Sequence, residues 1–286
     1  MNDALPSLAQ HAFRGALAPT VHSGEFHTMT ARPYVLAEST WKTVAATPYE
    51  VAVLPWGATE AHNYHLPYAT DNIQAEALAV DAACAAWERG AKVIVLPTVP
   101  FGVNTGQLDI KLCLNMNPAT QAALLADLVH AIEGQGIRKL VIFNGHGGND
   151  FRQIIRELQP RTKVFLASMN WYKIGDPGSI FTDLGDHAGE LETSVMMHLV
   201  PDLVLPLSEA GDGAEKRWRI GALREGWAWA PRRWTQVSAD TGTGNPALAT
   251  AAKGARYASE VTRRAADFLV ELAQADLNDL YADPGN

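Results

Sequence analysis

Four short apolar runs punctuate the chain: Val51–Trp56, Lys92–Pro97, Lys139–Asn144 and Lys163–Ala167. Each is close to continuous rather than alternating, the pattern of a strand covered on both faces. Between the runs the periodicity changes. From Asp71 to about Glu88, from Pro118 to about Glu133 and from Asn149 to Leu158 the pattern predicts helices. Asp71 stands at the expected N-cap of the first helix, Gly90 lies beyond its end, and Pro118 opens the second. Glu190 to Leu199 and Pro246 to Ala275 read as late helices. Pro206 to Asn245, rich in Trp and Gly, carries no usable period.

Strands alternating with helices imply right-handed crossovers and a mainly parallel sheet covered on both faces. Such a fold binds ligands past the carboxyl ends of its strands. Glu60, His62, His146 and the Trp171 region all fall there, before any function is assumed. Residues 31–286 are expected to form one domain. Residues 1–30 read as an extension, a loose tail or an oligomer arm, and their scattered Asp3, His11 and Arg14 do not suit a signal peptide.

Composition narrows the chemistry. A net charge of -8 argues against a nucleic-acid partner, and no apolar run is long enough for a membrane span. The two cysteines, Cys84 and Cys113, make neither a disulfide framework nor a thiolate zinc site, so a reducing, cytoplasmic setting is expected. A small-molecule substrate fits this balance. There is no G-x-S-x-G nucleophile elbow, no nucleotide-binding glycine motif and no H-E-x-x-H.

What remains is a set of carboxylates and imidazoles at strand ends. Glu60 and His62, two apart on an extended segment, project to one side, and Asp71 is placed to point back at them. His146 arrives from another strand on a glycine-flanked turn. Mixed oxygen and nitrogen donors suit zinc, manganese or iron(II). Each residue taken alone has a plainer reading: Asp71 as a cap, His65 and His187 as hydrogen-bonded histidines, Gly147-Gly148 as a turn, Glu192 as a solvated helix residue. Their joint position is harder to explain as structure. A phosphoesterase would want Lys or Arg beside the motifs, and none lies between Glu60 and Asp71 or between Asn144 and Asp150. A catalytically idle metal-binding scaffold is the alternative from another class.

Glu60-Ala-His62-Asn63-Tyr-His65-Leu-Pro-Tyr-Ala-Thr-Asp71 resembles the E-x-H-G-x-H-L-P-x-x-T-D motif of the creatininase (creatinine amidohydrolase) family. Asn144-Gly-His146-Gly-Gly148-Asn149 is similar to its second motif, and His187-Ala-Gly-Glu190-Leu-Glu192-Thr-Ser194 to its third. The resemblance implies a single three-layer α/β/α domain with a central, mostly parallel sheet, two divalent ions per chain (zinc first, manganese or iron as alternatives) and a homohexamer. It implies that Glu60, Asp71 and His146 hold one ion, and that His62, a bridging Asp71 and Glu190 hold the other. Glu190 would replace a carboxylate for which Gly148 has no side chain. His187 is then the expected proton shuttle, with Glu192 orienting it or a ligand.

The implied activity is hydrolysis of a C–N bond in a small, cyclic amide by activated water. Ring opening of a cyclic keto-sugar at a C–C bond is the alternative within the same family. Creatinine itself is not the expected substrate. Trp171 matches one of the family's pocket tryptophans, but Asp183 stands where the other would be, and Asn63 replaces the usual glycine. Asn104, Gln107, Trp171 and Asp183 are the expected substrate contacts.

Overall fold

The computed structural model describes residues 31–284, so the predicted extension at 1–30 lies outside the described residues. Its centre is a four-stranded, fully parallel sheet of β1 (Val51–Trp56), β2 (Val93–Val95), β3 (Lys139–Asn144) and β4 (Phe165–Asn170), ordered β2-β1-β3-β4. Side chains alternate across it as the pleat requires. Val51, Val53, Val93, Val95, Val141 and Phe143 face one core, whereas Ala52, Leu54, Trp56, Ile94, Leu140 and Ile142 face the other.

Seven of the helices that accompany the sheet come in chain order: α1 (Trp41–Ala46), α2 (Thr70–Glu88), α3 (Pro118–Gly134), α4 (Phe151–Leu158), α5 (Glu190–Leu199), α6 (Gly221–Glu225) and α7 (Trp234–Val237). The long α8 (Ala251–Gln274) follows. Leu78, Ala79, Ala82, Ala83 and Ala86 of α2 join Tyr257, Val261, Ala265 and Leu269 of α8 on the first face. Leu125, Val129 and Ile132 of α3 cover the other with Phe151 and Ile154 of α4. The small alanine face of α2 lets α8 lie close against it. Three layers, α/β/α, are the result. No helix among the described residues is long and apolar enough to cross a membrane.

Several boundaries differ from the periodic reading. Asp71 is not an N-cap: α2 starts at Thr70 after Ala69, and the Asp71 carboxylate lies in the first turn, free for other partners. Asp150, one residue into the predicted third helix, caps α4 by accepting the Arg152 N–H at 3.1 Å. The last helix begins at Ala251 rather than Pro246, capped by the Thr250 hydroxyl. β4 lies further along than its apolar run, because the polar Ser168 and Asn170 pair with Ile142 and Asn144 of β3.

Topology places the site. From β1 the chain crosses over α2 to β2 on one side. From β3 it crosses over α4 to β4 on the other. The loops leaving the carboxyl ends of β1 and β3 therefore diverge, which opens a crevice between them.

Candidate metal centre

Glu60 and His62 leave β1, His146 leaves β3, and Asp71 opens α2 at the same level. Close approach of these segments demands a glycine at 145: a Cβ there would stand 2.7 Å from the Asp71 carbonyl oxygen. Gly148 is needed for the same reason, since a side chain would run into the Val103 carbonyl and His146 Nε2. Asn63 has a positive φ of 54°, a conformation in which Asn is the best-tolerated substitute for glycine. Its side chain then ties the loop down, donating to the Gly211 carbonyl at 3.1 Å and accepting the Gly211 N–H at 2.8 Å. Ala188, also left-handed with φ of 52°, sits in the turn that delivers His187.

Three imidazoles are oriented in one manner. His62 Nδ1 donates to the Glu60 carbonyl at 3.1 Å, His146 Nε2 to the Val103 carbonyl at 3.1 Å, and His187 Nε2 to the Ala61 carbonyl at 2.7 Å. A carbonyl only accepts, so the hydrogen sits on that nitrogen and the other ring nitrogen faces the carboxylates. His62 Nε2 lies 3.0 Å from Asp71 Oδ1, His146 Nδ1 lies 3.0 Å from Glu60 Oε1 and 3.1 Å from Asp71 Oδ2, and His187 Nδ1 lies 3.5 Å from Glu60 Oε1. The rings of His62 and His187 stack with centroids 4.1 Å apart.

Glu60, His62 and Asp71 are each 1% exposed. Burial this deep is costly for charge unless the charges have partners. Burial opposes the charged form of His62, yet the adjacent Asp71 carboxylate carries it up to about 10. Burial likewise opposes charge on Asp71 and Glu60, but His62 and His146 hold Asp71 down, and His146 and His187 hold Glu60 down. Burial raises Glu192 to about 7, with Asp71 and Glu60 adding to the effect and His62 opposing it. His187 is lowered by burial and by the His62 charge.

Donor atoms fall into three sets, each within 4.8 Å: Glu60, Asp71 and His146; His62, Asp71 and Glu192; Glu60, His62 and His187. Asp71 Oδ2 is buried and receives no well-aligned hydrogen bond, although His146 Nδ1 stands 3.1 Å away. A shared carboxylate with His146 Nδ1 on one oxygen and His62 Nε2 on the other, each imidazole held by a carbonyl through its second nitrogen, fits a divalent cation.

The structure brings together Glu60, His62, Asp71, His146, His187 and Glu192. It does not bring Glu190 to them. The Glu190 carboxylate accepts from the Thr182 and Asp183 amides at 2.8 and 2.9 Å and pairs with Lys253. Glu192, two residues on and so about 200° round the helix, faces the cluster instead. Its Oε2 accepts the Ala188 N–H at 2.5 Å.

Of the expected substrate contacts, none lines the cavity beside the cluster. That cavity, about 370 Å³, is bounded among others by Gly147, Tyr172, Leu184, Leu191, His187 and Glu192. Trp171 is fully buried in the core against Tyr257. Its neighbour Tyr172 takes the wall position. Asp183 accepts the Gly185 and Asn245 amides and shapes its loop. Asn104 braces its own loop through Asn115 and Leu114. Gln107 donates to Glu60 Oε2. Trp234 was not legible: it meets the His187 ring edge-on at 5.3 Å with its Nε1–H on the Thr241 carbonyl, from a segment without periodicity.

A family model described as creatinine amidohydrolase matches residues 37–269. A mycofactocin precursor peptide peptidase of Mycobacterium ulcerans is 28% identical over 246 residues, covering 83% of this chain and 87% of the relative. A creatinine amidohydrolase of Pseudomonas putida is 28% identical over 172 residues, 52% of this chain and 64% of the relative. Among solved structures, a Bacteroides fragilis protein provisionally assigned as a creatinine amidohydrolase superposes with a TM-score of 0.81 at 45% identity, covering 86% of this chain and 98% of that one.

Proposed function

Since the chain belongs to the creatininase family of hydrolases, we propose that it is a metal-dependent amidohydrolase opening a C–N bond in a small, cyclic amide. The observation that carries this reading is the shared Asp71 carboxylate, its Oδ2 without an aligned hydrogen bond, at the centre of the buried His/Asp/Glu cluster. Glu60, Asp71 and His146 would hold one ion, and His62, Asp71 and Glu192 the other, with Asp71 shared. Glu192 thus takes the place that the motif resemblance gave to Glu190. Two divalent ions, zinc foremost with manganese or iron(II) as alternatives, would supply an acidified water and Lewis acidity toward a carbonyl oxygen.

The chain's own residues do the rest. Carbonyl partners fix the three imidazoles, so ligand orientation requires no rearrangement on binding. His187, with Nε2–H held by Ala61, presents Nδ1 toward Glu60 at the mouth of the cavity and accepts and returns a proton there. Tyr172, Leu184 and Leu191 wall off one side and favour a compact substrate with an apolar face. Peptide-bond cleavage is the second reading, favoured by the peptide peptidases among the relatives. Both readings break an amide. We place the working enzyme in the cytoplasm as a homohexamer, which sedimentation would check.

Metal analysis of the purified chain and a hydrolysis panel test the reading. The panel holds lactams, cyclic ureas, formamides, short peptides and inosose-type ketones. Turnover of a cyclic amide that chelation abolishes is the expected result. Turnover of ketones alone would replace C–N with C–C cleavage. Less than one ion per chain, unchanged by Glu60→Gln, would end the metal reading.

A further inference from the structure

The loop between β2 and α3 reaches the metal centre through one side chain, Gln107. Its amide is 4% exposed and both ends are used. A carboxylate can only accept, so Nε2–H faces Glu60 Oε2, which leaves Oε1 to accept from the Cys113 thiol at 3.2 Å. The Cys113 sulfur in turn accepts the Ala61 N–H at 3.2 Å. Donation therefore runs one way round a ring, from the Ala61 peptide through Cys113 and Gln107 to the carboxylate of Glu60, the residue next to Ala61 in the chain. Chains of this kind polarise one another and lose strength when any member is removed.

The loop that carries the ring is itself braced. Asn104 bonds across it to Leu114 and Asn115, and the Leu114 N–H donates to the Thr59 carbonyl at 2.9 Å, one residue before Glu60. Thr235 of α7 bonds Asp109 on its outer side.

We infer that Gln107, set by Cys113, is a positioning residue that ties up Glu60 Oε2 and leaves Oε1 as the single oxygen offered to metal. Oε1 is the oxygen that lies 3.0 Å from His146 Nδ1 and 3.9 Å from His62 Nε2. The inference rests on Glu60 being a ligand, as proposed above. Neither Gln107 nor Cys113 touches the cavity, so their effect is on the ligand and not on substrate.

Metal-free full-length protein titrated with zinc, and its cobalt(II)-loaded form read by visible absorption, provide the test. Gln107→Leu is expected to weaken zinc binding about 10- to 100-fold, the usual cost of losing an outer partner of a ligand. It should also shift the cobalt bands as Glu60 becomes free to chelate through both oxygens. Cys113→Ser keeps a donor and an acceptor and should stay close to wild type, whereas Cys113→Val should move both readouts in the direction of Gln107→Leu. Wild-type affinity and spectrum in Gln107→Leu, with zinc lost in Glu60→Gln, would overturn the inference and leave the metal reading intact. Equal zinc binding by wild type and Glu60→Gln would remove both. If Gln107→Leu does not fold by circular dichroism, Cys113→Val carries the same two readouts.

Discussion

Glu190 and Glu192 leave the same first turn of α5, the first buried and the second half-buried beside the cavity, yet they stand in opposite situations. At the head of α5 the Glu190 carboxylate is saturated: two loop amides and the Lys253 ammonium satisfy it, and it ties the 182–186 loop to α5 and α8. Past β1 and β3, Asp71 is shared between the donor sets of Glu60 and Glu192. Beyond Gln107 on Glu60 and the Ala188 amide on Glu192, only imidazoles face these carboxylates, and Asp71 Oδ2 receives no aligned hydrogen bond. A buried carboxylate with its donors supplied holds structure. A group of carboxylates whose donors fall short is built for something that arrives from outside. Helix position does not separate the two cases, because both belong to one turn. Donor supply does.

Replacing one member of each region is the strongest way to break the comparison. Asp71→Asn removes the anion shared by both donor sets. Metal affinity is expected to fall by well over the roughly 100-fold that an outer-shell change costs. Glu190→Ala should leave metal stoichiometry at the wild-type value but lower stability to urea by about 2–4 kcal/mol, from two stranded amides and an unpaired Lys253. Lys253 remains 31% exposed, so the loss is smaller than for a fully buried pair. Equal metal loss in the two variants would return Glu190 to the ligand set and defeat the contrast.

The four strands, the order of helices and the strand-end placement of the motifs were legible because a two-sided parallel sheet writes continuous apolar runs into the chain. The edges were less so. β4 ends in Ser168-Met169-Asn170, whose pairing with β3 outweighs their polarity. The Glu60, His62, Asp71 and His146 grouping followed from strand ends, but choosing Glu190 over Glu192 needed the direction of two side chains on one helical turn. A motif does not encode that direction; the Lys253 partner, sixty-odd residues on, decides it. Trp171 was assigned to substrate from its match to a family pocket tryptophan, and Gln107 from its place in a polar loop. The core took the first, and a carboxylate took the second.

Metal removal is the next step down in size. Chelation should lower the melting temperature by roughly 5–10 °C for each ion bound, corresponding to about 2.7 kcal/mol per site when free ion stands at about 100 times its Kd. Glu190→Ala should show the same drop from its lower starting point, because its deficit lies elsewhere in the fold. In Asp71→Asn the drop should vanish. Scanning calorimetry with and without chelator on the three proteins separates these outcomes, and an undiminished drop in Asp71→Asn would place the ion somewhere other than this cluster.

The smallest effect marks where the acidic field stops. His65 lies three residues from His62 and is equally buried, but it meets the Thr193 hydroxyl at 2.9 Å instead of a carboxylate. Burial, reinforced by the His62 charge, pushes it down to about 4, while Asp71 carries His62 the other way. Between about pH 4 and the ordinary imidazole value near 6.5 the unfolded chain binds a proton at this position that the folded chain refuses. Stability from His65 is therefore complete above about pH 6.5 and is lost as the pH falls toward 4, by about 2 kcal/mol at pH 5. His65→Gln can keep a bond to Thr193 and cannot titrate. Urea denaturation of the metal-free proteins at pH 7 and pH 5 should show wild type losing about 2 kcal/mol more than this variant. Parallel losses would mean that His65 accepts its proton in the folded state, and the boundary between the charged cluster and its neutral surroundings would then lie beyond it.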